Sequence, residues 1–313
     1  MSDGAVPPAI VAPAVAEAAD AVRARFTAAR PFAHCVIDGF FDAAFANALL
    51  RDFPAFERGN HLNEHGTAGG KSVVERIRGL GDAWRALDDC VQSAGFLGLV
   101  GRMTGIPDLL YDRDYFGGGS HDNRDGQSLD VHIDFNHHPG TGWHRRLNLI
   151  VYLNHEWEAG WGGALELHRD PRDPARDEVV SVLPLFNRCV IFETTEHSWH
   201  GFSEIHLPAE RAALSRKSVA LYFYTRERPA DETAPRHSTV YVDRPLPAHL
   251  QPGHVLHADD VTALHELLAR RDQHNLRLYR ELEALQARLD QSAVGRLAGL
   301  ARRAAGRLRR TRG

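Results

Sequence analysis

The chain has 313 residues, 43% hydrophobic and 25% charged, an ordinary globular composition that excludes wholesale disorder. A formal net charge of −4 argues against a polyanion-binding surface, so no nucleic-acid partner is expected. No run approaches the roughly 20 apolar residues that span a bilayer, and Cys35, Cys90 and Cys189 are too few and too scattered for a disulfide framework or a Cys-rich zinc site.

Residues 1–30 read as a Pro-rich tail running into a helix, with Val15, Ala18, Val22 and Phe26 on one face. Pro7, Pro8 and Pro13 interrupt the apolar stretch from Ala5 to Ala19, and no basic segment precedes it. A secretory signal is therefore not expected, and the expected location is the cytoplasm. Val36 and Ile37 fit a short strand before the Asp38-Gly39 turn, and Phe45, Leu49 and Leu50 a helix closed by Pro54. Residues 57–72, rich in Gly and His without a period, read as loop. Trp84, Leu87 and Val91 predict a further helix, and Phe96 to Met103 another.

From residue 109 the texture changes. Short apolar or alternating runs occupy Leu109–Phe116, Leu129–Asp134, Arg146–Leu153, Ala164–His168, Val179–Leu183, Cys189–Glu193 and Ser218–Thr225. Gly117-Gly118-Gly119, Pro139-Gly140, Gly162-Gly163 and Pro171 punctuate them. Many short strands between turn signals predict a mainly β core, a jelly roll, with the N-terminal helices packed outside it.

Residues 228–258 hold Pro229, Pro235, Pro245, Pro247 and Pro252 and read as a linker or strap. After Asp259-Asp260 the period is helical. Val261, Leu264, Leu268, Leu278, Leu282, Leu285 and Leu289 alternate at three and four, with Arg271 and Asn275 in the intervening seam positions, a coiled-coil-like pattern. Self-association or a partner helix through 259–289 is the corresponding expectation. Residues 291–313 carry seven arginines and no acids. Such a basic amphipathic end suits either a solvated or partner-bound helix, or weak peripheral contact with an anionic inner membrane face.

The sharpest local signal is His132-Ile133-Asp134. On a strand, residues i and i+2 share a side, so imidazole and carboxylate converge. A third ligand would complete a two-His-one-carboxylate face with open positions for iron(II). His200 follows Trp199 and precedes Gly201-Phe202, just beyond the Cys189–Glu193 run. His197 competes with it for that position. Arg216, Ser218, Ala220 and Tyr222 then lie on one period-two face, where a guanidinium beside a hydroxyl suits the far end of a dicarboxylate. Lys217 points the other way. His137 and His138 sit beside Pro139 and read as a solvated turn. His168 reads as structural, at the end of a run. Trp157, Trp161 and Trp199 fit either a cover over the site or rim packing, and Asn148 either the cofactor or its strand neighbours.

This combination resembles the iron(II)/2-oxoglutarate-dependent dioxygenases, within them the prolyl-4-hydroxylase-like branch. Val151-Tyr152-Leu153-Asn154 followed by Trp157 and Gly162-Gly163 is similar to that family's Tyr-Leu-Asn…Trp…Gly-Gly stretch. Pro184-Leu185-Phe186-Asn187-Arg188 leading into Val190-Ile191-Phe192 resembles its strand before the distal histidine. Pro31-Phe32, Val36-Ile37-Asp38 and Phe40 resemble the opening of its bacterial members. The resemblance spans about residues 31–227, implying a dioxygenase domain there with a double-stranded β-helix (jelly-roll) core at about 109–227. Residues 1–30, 228–258 and 259–313 flank it.

Carried over residue by residue, the resemblance implies His132, Asp134 and His200 as catalytic iron(II) ligands. Arg216 would bind the distal carboxylate of 2-oxoglutarate, aided by Ser218 and Tyr152. The family's upstream tyrosine falls here in 119–124, where none stands, and Tyr115 is the nearest substitute. Asp134 disfavours the halogenating subclass, which lacks that carboxylate. The implied activity consumes O2 and 2-oxoglutarate, with ascorbate an admissible auxiliary reductant. It hydroxylates an unactivated C–H of a small-molecule or peptidyl substrate: a prolyl residue, an amino acid or a tethered biosynthetic intermediate. A non-catalytic jelly-roll protein that binds a metal or ligand is the reading from another class.

Overall fold

The computed structural model describes residues 10–62, 68–173, 175–242, 246–247 and 249–291. The chain divides into two units, Met1–Val242 and Asp243–Gly313.

The first unit opens with helices α1 (Pro13–Glu17) and α2 (Ala19–Ala28), then strand β1 (His34–Asp38) and helix α3 (Ala43–Arg51). The Asp42 carboxylate caps α3 by accepting the Ala44 and Phe45 amides, two donors that the first turn leaves without partners. Strands β2 (Asn60–Leu62) and β3 (Ala68–Val74) precede helices α4 (Asp82–Val91) and α5 (Ala94–Thr104). Ser93 caps α5 and Gly105, at φ 78, ends it. The remaining strands are β4 (Leu110–Tyr111), β5 (Gly119–Asn123), β6 (Leu129–Ile133), β7 (His144–Tyr152), β8 (Leu165–His168), β9 (Val179–Val182), β10 (Arg188–Glu193), β11 (Trp199–Phe202), β12 (Arg216–Thr225) and β13 (Val240–Tyr241).

Two antiparallel sheets result. The larger has the order β1-β10-β7-β12-β5-β3-β2, with β4 paired to β12; the smaller runs β13-β6-β11-β8-β9. This is the expected jelly-roll core, flanked by helices. Strand alternation decides which side chains face which layer. Leu147, Leu149 and Val151 of β7, Cys189 and Ile191 of β10, and Val219, Leu221 and Phe223 of β12 join Val22, Phe26, Leu49, Trp84, Leu87, Phe96 and Val100 in one core beneath the helices. Tyr152, Val190 and Phe192, on the opposite face, pack with Leu165, Leu167 and Val182 of the smaller sheet. Phe223 is wholly buried, with its ring 6.2 Å from Phe96. Phe223→Ala should lower the unfolding free energy by about 3–5 kcal/mol in a denaturant titration, without touching the face that carries the chemistry.

Several local expectations are corrected. Residues 57–72, read as loop, contribute β2 and most of β3, because β3 pairs with β5 and β2 with β3, an order that no local period announces. The Leu109–Phe116 run keeps only β4. Beyond it the Asp112 carboxylate accepts the Asp114 and Phe116 amides, a turn that puts Tyr115 at φ 49. The Pro-rich stretch after 228 carries β13, which pairs with β6.

The second unit carries helix α6 (Ala258–Gln291). Along its expected seam Leu268, Leu278, Leu282 and Leu285 are exposed, as are Arg271 and Asn275. Residues 292–313, with every arginine of the basic end, lie outside the described residues. Among the described residues no helix is long and apolar enough to cross a membrane.

Candidate active site

The smaller sheet aligns three side chains of the site. His132 of β6 pairs directly with His200 of β11, so both imidazoles leave the same face, and Asp134 follows β6 by one residue. Gly201 permits that pairing: a Cβ there would stand 2.6 Å from the Leu129 carbonyl and 3.0 Å from Val131. The His132 and His200 side chains are each 6% exposed and that of Asp134 8%.

Hydrogen bonding sets the tautomer of both rings. His132 Nδ1 lies 2.8 Å from the Asp130 carbonyl, and His200 Nδ1 2.9 Å from the Ser198 carbonyl. A carbonyl only accepts, so Nδ1 carries the proton and Nε2 presents a lone pair. Those Nε2 atoms stand 3.7 and 3.5 Å from the Asp134 carboxylate. Burial, then the neighbouring His132, push the His200 imidazole down to about 4, so it is neutral near pH 7. Burial opposes ionisation of Asp134, but the Arg145 guanidinium outweighs it and holds the carboxyl well below its usual range. Two nitrogen lone pairs and an anionic carboxylate thus converge with no proton between them. A divalent cation satisfies all three, and the donor set fits iron(II). A second group, His249, His254 and Asp260, differs on this point. There the Nε2 atoms sit 2.6 and 2.8 Å from the carboxylate, where donated protons account for both contacts.

Arg145 is the site residue that sequence reasoning missed. Buried at 1% exposure, its guanidinium lies 3.2 Å from Asp134 and donates twice to Asn148 Oδ1, at 3.1 and 2.8 Å. Asn148 Nδ2 donates in turn to Asp134, at 2.8 Å. Simple alternation would put Arg145 and Asn148 on opposite faces. The register of β7 against β12 jumps at Phe223/Tyr224, and this bulge turns Arg145 inward. Arg145 also stacks over Phe135 and Tyr222.

On the same inner face of the larger sheet, Arg216 is 5% exposed. Its Nε donates to the Gly163 carbonyl at 2.6 Å and its Nη2 to the Tyr152 hydroxyl at 3.1 Å, and it stacks on Phe202. Gly163, at φ 69, permits this approach, since a Cβ there would meet Arg216 Cδ at 3.3 Å. Burial lowers the Arg216 pKa, partly offset by Tyr152. Among the described residues no carboxylate pairs with it, so a buried cation stands beside a phenol without a counter-anion. Ser218, wholly buried, lies across from Tyr152. Lys217 faces away, bonded to Ser215 and 4.0 Å from Asp122.

The competing residues fall elsewhere. His197 is exposed on the turn before β11, away from the convergence of lone pairs. His138 is buried rather than solvated: its Nδ1 accepts the Gly140 and Thr141 amides and its Nε2 faces Asp112 at 3.4 Å. Tyr115 donates to Asp88 within the helix-side core, so it does not stand in for the upstream tyrosine. His168 is held by Asp177 at 2.7 Å. Trp157 and Trp161 pack with Phe202 and Ile205, and Trp199 lies under Arg172. Asn148, left open between two roles, contacts Asp134.

Comparison with known proteins fits this geometry. Residues 119–224 match the 2OG-Fe(II) oxygenase superfamily. Over 220 residues the chain is 24% identical to prolyl 3,4-dihydroxylase OGFOD1 of Ostreococcus tauri, covering 63% of this chain and 39% of that protein. Over 81 residues it is 36% identical to prolyl 3-hydroxylase OGFOD1 of Mus musculus, covering 26% and 14%. The chain thus matches well under half the length of either relative. Among solved structures, a prolyl hydroxylase from Trichoplax adhaerens, in complex with a hypoxia inducible factor peptide, is similar at a TM-score of 0.49 and 16% identity, covering 67% of this chain and 90% of that one. A Pseudomonas putida prolyl-4-hydroxylase gives 0.43 at 15% identity, covering 72% and 99%.

Proposed function

From the match of residues 119–224 to the 2OG-Fe(II) oxygenase superfamily, we propose that the chain is an iron(II)- and 2-oxoglutarate-dependent hydroxylase acting on a prolyl residue of a peptide or protein. The observation that carries the reading is the converging set on His132, Asp134 and His200, two Nε2 lone pairs and a carboxylate with no proton between them. These three residues would hold the metal. When bound, the iron and 2-oxoglutarate together supply oxidation of an unactivated C–H by O2, releasing succinate and CO2.

The chain's own residues do the rest. The Nδ1 bonds to the Asp130 and Ser198 carbonyls fix both imidazole tautomers. Arg145 and Asn148 hold the Asp134 carboxylate ionised and fixed in direction. Arg216, with Tyr152 and Ser218 buried beside it, would neutralise the far carboxylate of 2-oxoglutarate. The named activities of both OGFOD1 relatives support the prolyl assignment.

Succinate release by the purified chain from 2-oxoglutarate, with and without iron(II), tests the reaction class. Prolyl peptides and their Pro→Ala counterparts test the substrate. Iron-dependent succinate stimulated by the prolyl set alone is the expected result. Stimulation independent of proline would reassign the substrate, and no succinate under any condition would overturn the reading.

A further inference from the structure

The two imidazoles of the site lie in a continuous row of four rings in tilted contact. Phe192 is 4.7 Å from His200, His200 is 4.3 Å from His132, and His132 is 5.1 Å from Tyr241, at interplanar angles of 58°, 48° and 31°. Phe192 comes from the centre of the jelly roll. Tyr241 comes from β13, beyond the residues that match the superfamily. Tyr241 pairs directly with His132 across β13 and β6, and His132 with His200 across β6 and β11. All three side chains therefore share one face, with Tyr241 at the edge of the sheet.

The strap that delivers Tyr241 is anchored at several points. Arg228 donates to the Arg145 and Thr194 carbonyls at 3.2 and 2.9 Å. Arg146 and Arg228 share Glu193 and Glu232 as ion-pair partners. Asn136 Nδ2 donates to the Pro235 carbonyl, and its Oδ1 accepts the His237 amide. The Val242 amide donates to the Val131 carbonyl at 2.9 Å, one residue past Tyr241.

We infer that Tyr241 is a positioning residue of the metal centre, an inference that rests on the metal reading above. The backbone bond at Nδ1 holds one corner of the His132 ring and leaves its plane free to tilt. A tilted ring contact on each side, His200 within and Tyr241 without, removes that freedom. Nε2 then stays aimed at the point where the Asp134 and His200 donors meet. Partners that orient ligands in this way typically change metal affinity about 10- to 100-fold when lost.

Cobalt(II) alone, titrated into the full-length apo chain and followed by its visible d–d absorption, tests this without a substrate. Tyr241→Ala and Tyr241→Leu should bind cobalt roughly 10-fold more weakly than wild type, with an altered band. Tyr241→Phe, which keeps the ring, should restore both affinity and spectrum. Wild-type affinity and an unchanged band in the Ala and Leu variants would overturn the inference. So would a Phe variant as weak as Ala, because the hydroxyl rather than the ring would then be responsible. His132→Ala is titrated in parallel: if it binds cobalt as wild type does, the metal reading fails first and takes this inference with it.

Discussion

His132→Ala, Asp134→Ala and His200→Ala are each expected to abolish 2-oxoglutarate turnover, and each should cut bound iron from about one per chain towards none. Loss of one donor from a facial set of three leaves a two-point site in which the metal is neither held nor oriented. The variants should differ in stability. Asp134→Ala removes the carboxylate 3.2 Å from the buried Arg145 guanidinium, and breaking a buried pair costs about 3–5 kcal/mol. His200→Ala leaves no charge uncompensated and should unfold closer to wild type. His197→Ala, on an exposed turn, should change neither iron content nor turnover. Full activity in His200→Ala with loss in His197→Ala would reverse the ligand choice. Zinc, cobalt or nickel should occupy the wild-type site without supporting oxidation.

The contrast between His200 and Arg145 shows what the sequence could carry. His132 and Asp134 are two residues apart, so strand alternation alone brings them together. Position after the Cys189–Glu193 run left His197 and His200 both open; the His-Gly pattern of the resembled family favoured His200, which pairs directly with His132. Arg216 and Ser218 share a face for the same period-two reason. The jelly-roll class was readable because many short apolar runs stand between turn signals such as Gly117-Gly118-Gly119 and Gly162-Gly163. Arg145 was not readable. Its inward direction depends on a bulge where β12 slips against β7, and a register slip is a property of two strands that neither sequence displays by itself.

The same reasoning explains β2, β3 and β13. Each is short or lacks alternation, and each is defined by the strand it pairs with rather than by its own composition. Tyr241 was hidden in a stretch whose prolines suggest a linker or strap and do not reveal that this stretch lays a ring against the His132 imidazole. His138 failed for a related reason. Pro139 did announce a turn, but the turn is folded inward, where the Gly140 and Thr141 amides satisfy the ring. Turn chemistry predicts conformation and leaves burial undetermined.

Arg216→Ala should raise the 2-oxoglutarate concentration needed for turnover far more than it disturbs iron binding. On the proposed reading, the metal would hold the keto-acid end of the cosubstrate, and the distant carboxylate would depend on the Arg216 cation. Arg216 is suited to that task because Gly163 and Tyr152 already hold its Nε and Nη2, so little rotamer freedom is lost when a carboxylate arrives. Removing a charge-assisted contact of this kind costs on the order of 2–4 kcal/mol, roughly 30- to 1000-fold in affinity. Arg216→Lys should recover only part, since a single ammonium cannot reproduce the planar fork. Lys217→Ala is the control. It lies on the opposite face, 4.0 Å from the buried Asp122, so its loss should be felt in stability and not in the 2-oxoglutarate requirement. Titrations of 2-oxoglutarate at saturating iron, read as succinate formed, decide the matter. Should the two variants exchange phenotypes, Lys217 and not Arg216 is the cosubstrate cation. Should neither shift the requirement, the cosubstrate assignment fails, and a jelly roll that binds metal without turnover becomes the better account.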